Sequence, residues 1–318
     1  MGALPLDKAC FLALILETLL YGVFLALFIA ALWVIRSKKT TLKNPASLIT
    51  VVSIWILATA HFVLDVLRAT QAFVDLQDGT AQAYYLDLSN PLQAAKTAVY
   101  VTLTLVGDAF VIYRCFVVWG RKWHITFVPI LLWLGTAVGG YGATVAFSKT
   151  PQGGQVFLPN LAPWITSFLS LTFSTNVLCT SLLAYRILRI QQQIRGIGQG
   201  QWAIDVLAII VESAALYSFS VLSLLIAYCL NSNAQYTVLD FTSPLIGIAF
   251  TAIILRVSLG LSSHETAISS PSTIFFRSQP TERNPMGNRQ LAVNVSHLVE
   301  MTKNDSGRRG YRFRGQRR

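Results

Sequence analysis

Charge is scarce in this chain. Of its 318 residues only 12% are charged, against 53% hydrophobic, and the mean hydropathy is +0.54. Soluble domains carry about 25% charged residues, so an ordinary soluble enzyme is excluded. Histidine is scarcer still. Of the four, His264 and His297 lie in a polar C-terminal stretch and His124 at the edge of an apolar run, so a three-histidine metal site cannot be assembled beside His61. Zinc spacings, phosphate-binding loops and nucleophile motifs are lacking too. Cys10, Cys115, Cys179 and Cys229 are too few and too scattered for a disulfide framework. They are expected as reduced, buried thiols, with a Cys10 to Cys229 bridge as the alternative. On these grounds neither catalysis nor a cofactor or metal is expected.

What the chain has in abundance is long apolar runs. A bilayer core about 30 Å thick needs roughly 20 apolar residues as helix, and seven such runs occur: Phe11 to Ile35, Ser47 to Leu67, Ala95 to Trp119, Ile125 to Phe147, Ala162 to Leu188, Ala203 to Leu230 and Leu239 to Leu259. Asn44-Pro45, Asn90-Pro91 and Pro151 to Gly154 separate several of them. The first run is longer than a signal-peptide core, so it reads as a retained helix, with a cleaved leader and six spans as the alternative. The expected fold is all-α, an integral membrane bundle of seven transmembrane helices over residues 1–260, followed by a basic, largely disordered cytosolic tail over residues 261–318. Cations set the orientation. Twenty-one of the 25 Lys and Arg fall on one side and four, Lys8, Arg68, Lys96 and Lys149, on the other, and without the tail the ratio is still 11 to 4. The N-terminus is therefore expected outside and the C-terminus in the cytosol. None of the eight lysines lies in the last two runs, which removes the Schiff-base lysine of a retinal-binding protein.

Ionisable groups inside a membrane are costly and mark candidate sites. Glu17, His61, Asp65, Asp108 and Glu212 fall within runs; Lys96, Arg114, Asp205 and Asp240 fall near run ends. At 1.5 Å per residue Asp108, Asn176 and Glu212 reach similar depths, which predicts a polar core layer. It reads either as a proton- or ion-linked switch or as an interhelical hydrogen-bond clamp. His61 and Asp65, four residues apart, share a helix face and are expected as a structural pair. Asp108, Tyr113 and Arg114, toward the inner end of the third run, are the candidate activation switch, and Pro244 in the seventh run is a candidate hinge. The stretch Gly135-Thr-Ala-Val-Gly139 with Gly140 and Gly142 predicts close helix packing, as does a serine stripe of Ser167, Ser170, Ser174 and Ser181.

The tail carries six arginines in its last twelve residues. Beside a membrane these are expected to meet anionic lipid head groups rather than nucleic acid. Its two sequons, at Asn294 and Asn304, would stay unmodified in the cytosol.

The phrase Asp108 to Trp119, with Tyr113-Arg114-Cys115 and Val117-Val118-Trp119, together with the tail stretch Leu291-Ala-Val-Asn-Val-Ser-His-Leu-Val-Glu300, resembles the large group of uncharacterised seven-helix proteins of mushroom-forming fungi. The resemblance covers nearly the whole chain. It implies a receptor-like topology and no particular activity. Rhodopsin-type receptors differ plainly: no acidic residue precedes Arg114, the seventh run lacks an Asn-Pro motif before a tyrosine, and Arg114 and Pro244 are similar to that family's residues in position only.

These features lead to an orphan seven-transmembrane receptor-like protein of the plasma membrane. An unidentified small ligand is expected to enter from the outer side, bounded by the loop from Arg68 to Gln93 with Asp75, Asp78 and Asp87. A cytosolic transducer, such as a G protein, is expected to meet the inner loops. The alternative is a small-solute or proton-coupled transporter or channel working through the Asp108, Asn176 and Glu212 layer.

Overall fold

The computed structural model describes residues 5–37, 45–75, 81–87, 90–149, 160–194 and 201–269. The tail beyond Ser269, Asp78 and Arg195 lie outside them, as do the side chains of Asp75 and Asp205. The described chain is all-α. It comprises α1 (Leu6–Ser37), α2 (Pro45–Thr70), short α3 (Ala81–Leu86), α4 (Pro91–Val118), α5 (Trp123–Ser148), α6 (Ala162–Ile194), α7 (Gln201–Cys229) and α8 (Ala234–Ser269). All but α3 are long and apolar enough to cross a membrane, giving seven spans. The protein is a multi-pass integral membrane protein.

The helices overrun the apolar runs that announced them. α1 begins at Leu6, and α8 extends from Ala234 to Ser269 rather than from Leu239 to Leu259. An apolar run measures only the lipid-facing stretch, whereas the backbone ladder continues wherever polar flanks keep helical geometry. Starts are locally encoded. At α4, Asn90 Oδ1 accepts from the Leu92 N–H at 2.9 Å, and Pro91 occupies the first turn, where no donor is needed.

Burial is inverted relative to a water-soluble protein. Trp33 and Phe219 are each 71% exposed, facing outward where lipid replaces water, while Glu17, His61, Lys96 and Asp108 are buried. The seven spans close into a ring, α1 beside α2 and α8, then α4, α5, α6 and α7 in turn, with α4 also touching α6 and α8. Below, "upper" denotes the end where α1 starts and "lower" the opposite end.

Small residues set how closely the ring closes. A Cβ on Gly139 of α5 would come within 3.2 Å of the Phe168 backbone nitrogen of α6, so glycine there permits direct helix contact, as the sequence led us to expect. The serine stripe of α6 does the opposite. Ser167, Ser170, Ser174 and Ser181 are all exposed on the outside of the bundle, where Ser174 Oγ donates to the Ser170 carbonyl at 2.7 Å. A hydroxyl satisfied by its own helix can face lipid, and the buried face of α6 carries Thr172, Thr175, Asn176 and Cys179 instead.

Candidate functional site

Two polar clusters lie inside the bundle, one in its upper third and one lower down. The upper cluster joins α2, α4 and α8. Lys96 stands five residues into α4 and Asp240 six residues into α8, so each lies about 8 to 9 Å below the upper end of its helix. Being level, they meet. Lys96 Nζ donates to Asp240 Oδ1 at 2.7 Å and also to Asp65 Oδ1 of α2. The ammonium is thus shared by two carboxylates, and all three side chains are buried. Arg68 extends the cluster, with Nη1 4.0 Å from Asp65 Oδ1 and its guanidinium over the Tyr85 ring of α3 at 5.3 Å. Burial pushes the Tyr85 phenol above its ordinary pKa, so it stays protonated under the guanidinium.

His61 does not pair with Asp65. Its Nδ1 lies 2.8 Å from Glu17 Oε1 of α1. Positions four apart share a face but differ by about 6 Å in depth, so each meets the neighbour at its own level: α1 for His61, α4 and α8 for Asp65.

A cavity of about 90 Å³ opens directly beside Lys96, room for several waters or part of a small organic molecule. One end is polar, with Asp65, Arg68, Gln93, Lys96, Gln235 and Asp240; the other is apolar, walled by Val101, Phe147, Ile165, Phe168, Leu169 and Leu224. From the segment expected to border a ligand, Arg68, Tyr85 and Gln93 line the cavity. Between Arg68 and Gln93 the chain forms a π-helical turn at Gln71–Asp75 and then α3, which contributes Tyr85 to the lining. Tyr84 donates to Gln71 Oε1 at 2.6 Å, and Tyr85 packs with Leu6, Cys10 and Ala72.

No family model, curated protein or solved structure matches the chain. Geometry therefore carries the functional argument.

The lower cluster lies about 18 Å further along α4, with Asp108 twelve residues below Lys96. Thr172 of α6 donates to Asp108 Oδ2 at 2.6 Å and lies 3.0 Å from the Tyr217 hydroxyl of α7. Asn176 is buried one turn below Thr172, and its Oδ1 accepts from Thr180 at 3.1 Å. Asp108 Oδ1 and Asn176 Nδ2 have no hydrogen-bond partner.

Glu212 is not in this layer. It is exposed on the outside of α7. Tyr217, five residues on, sits about 140° around the helix and supplies the third group in its place. Equal depth cannot distinguish the two faces of one helix.

The candidate switch also separates. Asp108 is buried in the cluster, and Arg114 lies over the Phe110 ring at 4.4 Å. Tyr113 is 41% exposed and turned to an outer groove with Phe116, Trp123 and Trp133. Arg114 lines a second cavity of about 20 Å³ with Asn176, Thr180, Ser213 and Tyr217, room for about one water. Pro244 is buried within α8, and the helix runs through it. Lacking an N–H, it deprives the Asp240 carbonyl of its helical donor, so the candidate hinge coincides with the upper ion cluster.

All four cysteines are free. Cys10, Cys115 and Cys179 are buried and Cys229 is exposed. Among the described residues no group of three His, Cys, Asp or Glu is arranged to hold a metal ion.

Proposed function

We propose that this protein is a seven-transmembrane receptor-like protein that binds a small ligand in the upper cavity, with the N-terminus outside and the C-terminus cytosolic. One observation carries the reading: the cavity beside Lys96 is polar at one end and apolar at the other, and at its polar end Lys96 of α4 ties together a carboxylate of α2 and one of α8. A ligand that disturbs that sharing acts on α2, α4 and α8 at once. Binding sites between bundle helices have this character: mostly apolar, with a few convergent polar groups.

A continuous set of contacts leads downward from the cavity. The Tyr100 and Phe168 rings are 6.2 Å apart. Thr172 lies one turn below Phe168 and touches Asp108 and Tyr217. Tyr217 meets Phe250, Phe250 meets Phe110, and Arg114 covers Phe110. Such contiguity supports transmission from the cavity toward the lower end. The cation bias toward the lower end supports the orientation. The reading extends to a plasma-membrane location, a G protein or other cytosolic transducer at the lower loops, and anionic lipid at the basic tail. It also keeps the resemblance to the seven-helix proteins of mushroom-forming fungi.

Proximity labelling from the C-terminal tail in native cells tests it. Enrichment of G-protein α subunits that falls in Arg114→Ala is expected. If neighbouring membrane proteins label well, and proton-coupled flux appears that Asp108→Asn abolishes, the transporter reading replaces this one.

A further inference from the structure

We infer that the upper cavity takes an uncharged amphiphile, a molecule with an apolar body and a single hydroxyl or amide head. The inference rests on the cavity being a ligand site and specifies its chemistry.

Charge balance is the first reason. Two cations, Lys96 and Arg68, and two carboxylates, Asp65 and Asp240, line the cavity, and Lys96 is already held by both carboxylates. The other groups facing it that can titrate are a thiol, Cys10, and the phenols of Tyr85, Tyr100, Tyr228 and Tyr236, all uncharged in their ordinary forms. The Glu17 and His61 pair is not in the lining. An ammonium or carboxylate head would therefore leave an uncompensated charge inside the membrane, which is strongly unfavourable.

Unmet hydrogen bonds are the second reason. Gln93 Oε1, Gln235 Nε2 and Arg68 Nε have no partner, although these side chains are 9%, 5% and 5% exposed and all three line the cavity. The set is one acceptor and two donors. An ammonium cannot accept and a carboxylate cannot donate, whereas a hydroxyl or an amide does both. The head that balances the charge is thus also the head that completes the hydrogen bonding. Beyond it, Phe147, Phe168, Leu169 and Leu224 form a wall with no polar side-chain atom, suited to a hydrocarbon or isoprenoid body.

Photolabelling of the full-length chain in lipid nanodiscs tests this with four probes of one chain length. Each carries a diazirine on an alkyl chain, ending as an alcohol, a carboxylate, an amine or a plain methyl. The alcohol is expected to label Tyr100, Phe168 or Tyr228 and to be displaced by unlabelled alcohol. Gln93→Met and Gln235→Met should each weaken that labelling about tenfold, the worth of one neutral hydrogen bond, while thermal stability holds or rises because an unpaired buried polar atom has gone. Stronger cavity labelling by the amine or the carboxylate overturns the chemical class but leaves a ligand site. Equal labelling by the methyl-ended probe, unaffected by either Gln variant, overturns head recognition. Loss of thermal stability in both Gln variants, in step with lost labelling, makes these residues structural and also overturns it. If no probe labels the cavity while the lipid-facing Phe219 is labelled, the ligand-site reading itself fails.

Discussion

Replacing Lys96 by methionine removes the cation that Asp65 and Asp240 share. The two carboxylates contact the same Nζ, so without it they face each other across a few ångströms with little access to solvent. Breaking a buried ion pair from one side costs roughly 3–5 kcal/mol, because the remaining charge keeps its desolvation penalty and loses its compensation. At roughly 2–4 °C per kcal/mol for a chain of this size, Tm should fall by about 6–20 °C. The protein supplies its own reporter. Cys10, Cys115 and Cys179 are buried and Cys229 is exposed, so in a Cys229→Ser background a thiol-reactive dye brightens only as the bundle opens. The matching variant Lys96→Met with Asp240→Asn removes one charge of each sign at nearly constant volume and leaves Asp65 beside Arg68. It is expected to recover more than half of the loss, since an ion pair replaced as a unit is often neutral in stability. A single variant that melts within about 3 °C of the parent, an effect near 1 kcal/mol, would refute the reasoning. So would a charge-matched double variant as unstable as the single.

Other consequences follow from the same geometry. Thr172→Val and Tyr217→Phe should couple in a double-mutant cycle by about 0.5–3 kcal/mol, as groups sharing a hydrogen-bond network do; strict additivity in the melting assay would dissolve the lower cluster. Glu212→Gln should leave Tm and any ligand response unchanged, since its side chain lies outside the bundle; a loss comparable to that of Asp108→Asn would return it to the core. A membrane-impermeant maleimide should modify Cys229 on intact cells, because that residue is exposed at the upper end of α7. Modification only after permeabilisation would reverse the proposed orientation.

The number and type of elements are legible in the apolar runs, because crossing a bilayer demands a length that few other structures require. Asp108 and Asn176 are legible as buried polar groups on the same grounds. The main cluster is harder to see. Lys96 and Asp240 each stand near the end of an apolar run, where a charge ordinarily reaches the interface, and only the extension of α8 back to Ala234 carries Asp240 inward to Lys96. Counting Lys96 among the outer cations treats as interfacial a side chain that the fold buries. Glu212 is the converse case: its depth is readable from spacing, but its direction depends on which face of α7 meets α6 and α8. A weakly amphipathic helix does not display that face, since lipid-exposed and buried apolar residues look alike. Gln93 and Gln235 carry no sequence signal for the cavity, because only the tertiary arrangement leaves their polar atoms unpaired.

The sharing of Lys96 also bears on how the protein is made. Helices emerge from synthesis in chain order, so Asp65 and Lys96, on the second and third spans, enter the membrane together, while Asp240 arrives only with the seventh. Until then the ammonium holds one carboxylate of its two, and α1 lacks α8, one of its two neighbours in the ring. A chain truncated after α7 would leave this half-made cluster inside the membrane. Such an exposed polar group is a feature that quality control can detect, so completion of the bundle and its release from surveillance would coincide at the last helix.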